Sequence, residues 1–170
     1  MNKGEILAIN ISQKMGEPME VQENVALVKD KGIQGDRYEK GNGAYSKAPR
    51  KNVPPELNQD RDIIRDVSLI AEEAIKSANQ EFGTDFNFTD TRRNILVQGI
   101  EDLTSLIGVV FTIGGVAMLG IEACDPCDRP SKLSGKPGFN QAFQNRGGLR
   151  ARVVSDGEIK VGDQILVENT

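Results

Sequence analysis

Short apolar runs separated by glycine turns limit most strongly how this chain can fold. Glu5 to Ile11 reads as a first strand, with Leu7, Ile9 and Ile11 on one face and Ile6 on the other. Met19 to Val28 reads as a second, containing the buried-strand run Val25-Ala-Leu-Val28. Val67 to Ile70 and Asn94 to Val97 follow. Val109 to Ile113 and Val116 to Ile121 form a pair around the Gly114-Gly115 hairpin turn. Leu149 to Val154 and Ile159 to Glu168 read as a last pair around Asp156-Gly157. Helical signals are few. One covers Ala71 to Phe82, with Ile75, Ala78 and Phe82 on one face and Gly83 as C-terminal cap. Leu103 to Ile107 is a single turn ending at Gly108, and Gly138 to Asn145 is a short helix. The pattern is mainly β with a few helices (α+β), a barrel-like fold with one or two helices packed outside. A chain of 170 residues without internal repeat, low-complexity tract or linker reads as one domain over residues 1–170.

Two segments interrupt this regularity. Lys31-Gly-Ile-Gln-Gly-Asp-Arg-Tyr38 carries two glycines on a tight backbone path. Glu39 to Asp60, with Pro49, Pro54 and Pro55, is a long loop of the kind that serves function or moves.

The chain has no histidine, so the usual proton-transfer group and the commonest metal ligand are both missing. Sulfur then leads the candidates for chemistry. The only cysteines, Cys124 and Cys127, stand two residues apart in Leu119-Gly-Ile-Glu-Ala-Cys-Asp-Pro-Cys-Asp-Arg-Pro130. The spacing suits half a zinc site, but no second pair completes four ligands. It also suits a dithiol redox centre, although the two prolines after Cys127 make a poor helix start for activating a thiol. A thiolate ligand to a soft transition metal in a cofactor, or a persulfide carrier, is a further reading. Two ordinary buried thiols are the bland alternative. The residues alone leave these open.

A formal charge of −4 argues against general nucleic-acid binding. No apolar run approaches the roughly 18 residues of a membrane helix, and the N-terminus lacks a signal-peptide core. The expectation is a cytoplasmic protein with reduced thiols and no membrane partner. Basic residues recur in three places. Arg92 and Arg93 precede a strand and so point to opposite faces, leaving at most one for a given site. Each is either a solvated edge or a guanidinium fork for phosphate or carboxylate. In Arg146-Gly-Gly-Leu-Arg-Ala-Arg152, the glycines either admit an anion to backbone amides or simply turn the chain. Asp36 and Arg37 stand beside a glycine turn.

In order, Gly32-Ile-Gln-Gly-Asp-Arg37, Val67-Ser-Leu-Ile-Ala-Glu-Glu-Ala74 and Thr91-Arg-Arg-Asn-Ile-Leu-Val97 resemble a known family. So do Gly99-Ile100, Leu106-Ile-Gly108, Phe111-Thr-Ile-Gly114, Ala123-Cys-Asp-Pro-Cys127, Arg146-Gly-Gly-Leu-Arg-Ala-Arg-Val153, Asp156-Gly157 and Ile159-Lys-Val-Gly-Asp163. The chain resembles the MOSC domain, named for the C-terminal part of molybdenum-cofactor sulfurases, and is most similar to its short stand-alone bacterial members. The resemblance covers residues 5 to 168 and implies a MOSC-type β-barrel. It also implies binding of the molybdenum cofactor, molybdopterin, with its dithiolene and phosphate. In that family the cysteine is viewed as a sulfur carrier or as a ligand to molybdenum. The Pro-Cys position matches Cys127, with Cys124 as partner or alternate. Arg92, Arg93, Asn94 and Arg146 are then implied phosphate or pterin contacts, and Asp36 and Arg37 shape the site or orient a ligand.

The implied activities are a molybdenum-dependent reduction of a small N-oxygenated compound, or sulfur or cofactor carriage to an acceptor protein. A reductase would draw electrons from a separate donor protein, since no flavin or iron–sulfur motif is present. The loop from Tyr38 to Asp60 lacks the histidines and basic segment of some members, so their substrates do not transfer. Pyridoxal phosphate, linked to the family through the sulfurase enzymes, has no Schiff-base lysine signature here.

Overall fold

Strand β1 (Asn2–Ile11) organises the molecule because it pairs on both sides along its length. In the computed structural model, which describes residues 2–47, 55–57 and 64–168, it carries a register shift between Ile6 and Ala8. This bulge corrects the simple alternation expected of the strand. Ile6 joins Ile9 and Ile11 in the barrel core, whereas Leu7 packs on the opposite side.

Ten further strands follow: β2 (Glu20–Gln22), β3 (Asn24–Val28), β4 (Gly32–Ile33), β5 (Val67–Ala71) and β6 (Ile95–Gln98). Then come β7 (Val110–Ile113), β8 (Val116–Ala123), β9 (Leu149–Val153), β10 (Gly157–Lys160) and β11 (Gln164–Val167). Seven close a barrel in the order β11-β7-β8-β9-β5-β6-β1, with β1 returning to β11. Closure leaves no free edge inside the ring, and β2 extends from β1. The barrel interior is filled by alternate residues such as Leu69, Val97, Phe111, Met118 and Ala151. The hairpin between β7 and β8 forms as expected, with both Gly114 (φ 54°) and Gly115 (φ 84°) in the left-handed region its two-residue turn requires.

Two expected strands divide differently. The Met19–Val28 run breaks at Glu23, and β3 leaves the barrel to join β10 and β4 in a three-stranded sheet. The last two runs do not pair with each other. β9 lies between β5 and β8, while Ile159–Glu168 splits at the turn around Gly162 (φ 91°) into β10, on β3, and β11, on β1 and β7. Asp156 caps Lys29 N–H instead of forming a local hairpin. Long-range partners decide these pairings, and turn residues do not reveal them.

β5 and β6 are the parallel ladder among the described strands, so a crossover must join them. It contains α1 (Glu72–Phe82) and α2 (Phe88–Thr91). α1 ends at Gly83 in the left-handed conformation, as expected, and buries Ile75 and Ala78. Phe82 departs from that buried face, remaining 39% exposed beneath the Arg146 guanidinium. α3 (Arg129–Ser134) corrects the expectation that the segment after Cys127, with its two prolines, is a poor helix start. Pro130 occupies the first turn, where a missing N–H costs no intrahelical bond. α4 (Phe139–Ala142) completes the outer layer. Phe86, Phe139 and Phe143 form a three-ring cluster over Ile70 and Leu96, fastening these helices to the barrel. Among the described residues no helix is long and apolar enough to cross a membrane. Pro49 and Pro54 of the long loop lie outside the described residues.

Candidate functional site

The end of β8, the start of α3, the α2–β6 junction and the loop after β4 converge on one cleft beside the barrel. Its empty space, open solvent at the mouth included, is about 440 Å³. Five arginines line it, Arg37, Arg92, Arg93, Arg129 and Arg150, and among the described residues its lining holds no carboxylate. That concentration is notable in a chain of net charge −4. The lining also holds Cys124, Cys127, Ser68 and both tyrosines of the chain, Tyr38 and Tyr45.

Asp36 builds the cleft from below. Its fully buried carboxylate accepts from Ser12 N–H, Tyr38 N–H and Arg37 Nη1, each at 3.1 Å. Arg37 Nη2 donates to the Arg92 carbonyl at 3.3 Å, and its guanidinium lies 4.9 Å from the Tyr38 ring centre. The glycine-acid turn therefore anchors Arg37 while Asp36 stays behind the cleft wall.

Arg92 and Arg93 were expected on opposite faces of a strand, yet both line the cleft. Arg92 caps α2 with φ 61°, so it precedes the strand and escapes the alternation rule. Arg93 donates to the carbonyls of Gly147 (2.8 Å), Thr91 (3.1 Å) and Cys124 (3.3 Å). It is a clamp on the backbone. Arg92 Nη1 donates to the Glu17 carbonyl at 2.9 Å, but its buried Nη2 has no partner among the described residues. Burial, then the charges of Arg37 and Arg129, push the Arg92 pKa down to about 10. This guanidinium is short of negative charge. Arg129 makes no hydrogen bond or ion pair among the described residues.

Asn94 and Arg146 lie elsewhere. The Asn94 side chain accepts from Ser68 N and Oγ, both at 3.1 Å, and donates to the Asn10 carbonyl at 3.2 Å. It ties β5 to the β1–β6 pair. Arg146 pairs with Glu81 and donates to Ser77 Oγ at 3.1 Å, on the far side of α1. The neighbouring glycines serve backbone packing: a Cβ on Gly147 would collide with the Cys124 carbonyl, and one on Gly148 with that of Leu69.

Cys124 is 2% exposed, its N–H bonded to the Gly148 carbonyl at 2.8 Å and its carbonyl held by Arg93. Cys127 is half-buried in the same cleft. Tyr45 and Cys127 line the cleft together, and burial followed by the Cys127 sulfur pushes the Tyr45 pKa up to about 12. The phenol thus keeps its proton at neutral pH. Arg150 lies over Tyr38 and Tyr45, 5.6 and 5.8 Å from their ring centres. Burial works against its charge, but the Cys124 sulfur, Tyr38 and Glu122 prevail and raise its pKa. Arg65 donates to the Tyr45 carbonyl at 2.8 Å and pairs with Glu122 at 3.3 Å, which fixes the loop above the cysteines. Among the described residues no three His, Cys, Asp or Glu side chains cluster as a metal site.

A family model described as the MOSC domain matches residues 61–166, more than half of the chain. The chain belongs to the MOSC domain family. No curated protein matches this MOSC domain. Among solved structures, it is similar to the YuaD protein of Bacillus subtilis at TM-score 0.74 and 20% identity, covering 96% of this chain and 94% of that one. YiiM of Geobacillus stearothermophilus superposes at TM-score 0.65 and 14% identity, over 98% of this chain and 75% of that one. YiiM of Escherichia coli gives 0.65 and 14%, over 98% and 70%. At these identities the likeness speaks for the fold.

Several residues of this MOSC domain's cleft were not singled out from sequence: Tyr38, Tyr45, Ser68, Arg129 and Arg150. A signal existed for Arg150. Leu149, Ala151 and Val153 alternate into the barrel, which turns Arg150 outward beneath the helix layer. The tyrosines offered only their rarity, and both precede the segment matched by the family model.

Proposed function

We propose that this MOSC domain binds the molybdenum cofactor in the arginine-lined cleft, with the Cys127 sulfur as protein ligand, for reduction of a small N-oxygenated substrate. The observation that carries this reading is the convergence of five arginines, with no carboxylate among the described residues, on a half-buried thiol. The cofactor is anionic through its phosphate and offers a soft metal, which is the chemistry that guanidinium groups and a thiolate complement. The residues present fit it. Arg92 Nη2 is a buried donor awaiting an acceptor, and Arg129 is unpaired among the described residues. An anionic group between them relieves the repulsion that burial alone leaves in place.

When bound, the cofactor supplies two-electron transfer. The chain's own groups do the holding. Arg92 and Arg129, with Arg37, bind the anion, and Arg93 fixes the backbone at Cys124. The Tyr45 phenol, kept protonated, stands with the Cys127 sulfur in the cleft. With no histidine in the chain and no carboxylate in the lining among the described residues, water and the hydroxyls of Tyr38, Tyr45 and Ser68 are the protic groups at hand. Electrons come from a separate donor protein in this reading.

The partial exposure of Cys127 also favours a second reading, a carrier that passes a persulfide sulfur or the cofactor to an acceptor protein. The test is expression in a host that makes the cofactor, anaerobic purification, and assay of molybdenum and pterin per chain. Near one of each, lost in Cys127→Ala, upholds the cofactor site. Neither in the intact protein sinks it, and transferable sulfane sulfur on Cys127 would then favour the carrier.

A further inference from the structure

Cys124 has no task in the cofactor reading, yet it lines the cleft with Cys127 and both thiols are free. We infer that Cys124 is a resolving thiol: under a hydroperoxide it closes an intrachain disulfide with Cys127 and withdraws that sulfur from the cleft. As regulation of ligand binding, this rests on the reading that Cys127 is the ligand sulfur.

The two cysteines are held unequally. Cys124 is pinned through both backbone groups, by Gly148 and Arg93. Asp125, Pro126 and Cys127 make no main-chain hydrogen bond among the described residues, and α3 begins only at Arg129. Cys127 is therefore the arm that can swing without breaking the barrel or the helix. A disulfide needs Cα atoms about 4.4–6.8 Å apart, which four residues reach by folding into a turn. The movement takes the sulfur away from the Tyr45 phenol with which it lines the cleft.

Exposure sets the order of events. The half-buried Cys127 thiolate attacks one peroxide oxygen and the O–O bond breaks. This forms a Cys127 sulfenic acid and, with a proton taken up, releases water. The Cys124 sulfur then attacks that of Cys127, the S–S bond forms, and the S–O bond breaks to release a second water. Two thiols are oxidised by two electrons and one hydrogen peroxide is reduced to two waters, so no other reactant is needed.

The experiment uses the full, cofactor-free chain treated with hydrogen peroxide, alkylated and weighed by mass spectrometry. The expected result is loss of both thiols together with a 2 Da decrease in a monomer, reversed by dithiothreitol. Cys124→Ser is expected to halt at a Cys127 sulfenic acid that dimedone traps. Oxidised Cys127 beside an alkylatable Cys124 in the wild-type chain, or an interchain dimer, overturns the proposal. The cofactor reading fails separately. A chain that forms the disulfide but carries no molybdenum after reduced expression in a cofactor-making host keeps the pairing and loses the ligand assignment. A chain that holds molybdenum through Cys127 and never closes the disulfide loses the pairing and keeps the ligand.

Discussion

Arg93 Nη2 donates to the carbonyl oxygen of Cys124 at 3.3 Å, so a residue just before β6 also positions the cysteine segment. Its other donors reach Gly147 and Thr91, and the residue is 7% exposed. Arg93→Ala leaves buried carbonyls unpaired, each worth about 1–3 kcal/mol. The expected outcome is a loss of about 3 kcal/mol or more in urea unfolding. Arg93→Lys, which cannot reproduce the fork, recovers less than half of it.

Arg92 is expected to behave in the opposite way. Its buried Nη2 lacks a partner and its charge faces those of Arg37 and Arg129. Arg92→Met removes an uncompensated donor while keeping apolar volume, so the urea midpoint of the ligand-free chain holds or rises. Binding of an anion that fills the cleft weakens at least tenfold, the scale of one charge-assisted hydrogen bond. Titration with inorganic pyrophosphate checks this, and a variant that loses stability and binding together would make Arg92 a structural residue.

These contrasts show why the site was only partly legible in sequence. The barrel was readable where local rules decide, as in the Gly114-Gly115 hairpin and the helix stopped by Gly83. It was not readable where distant partners decide. β9 pairs with β5 across about 80 positions, and that pairing carries Arg150 to the cleft. The α3 helix was hidden because Pro130 acts as a breaker in a helix interior and as a starter in a first turn. Arg146 and Arg150 sit in one motif and carry the same charge, yet the first faces Glu81 and the second the tyrosines. Only the fold separates them.

The helix layer that brings α3 to the cysteines depends on few side chains. Phe143 is fully buried, stacked on Phe139 at 4.4 Å and edge-on to Phe86 at 5.8 Å. Phe143→Ala removes a core ring and is expected to cost about 3–5 kcal/mol. The loss is read as a lower urea midpoint. Because Phe139 of α4 belongs to this cluster and its N–H donates to Ser131 Oγ of α3 at 2.9 Å, Cys127 should also alkylate faster in the variant at denaturant concentrations where the barrel remains folded.

Alkaline titration tests the Tyr45–Cys127 contact directly. The folded Tyr45 phenol titrates at about 12, raised from its ordinary 10 by burial and then by the Cys127 sulfur. A group whose folded pKa is raised contributes stability that is complete below the unfolded pKa and lost as pH climbs through the folded one. The expected window for that loss is therefore pH 10 to 12, with stability falling as the unfolded chain releases its proton first. In Tyr38→Phe, absorbance at about 295 nm should show the remaining tyrosine ionising well above 10, and adding Cys127→Ala should draw that midpoint downward. A midpoint near 10 in the folded Tyr38→Phe chain, unmoved by the loss of Cys127, would show that the sulfur does not act on Tyr45.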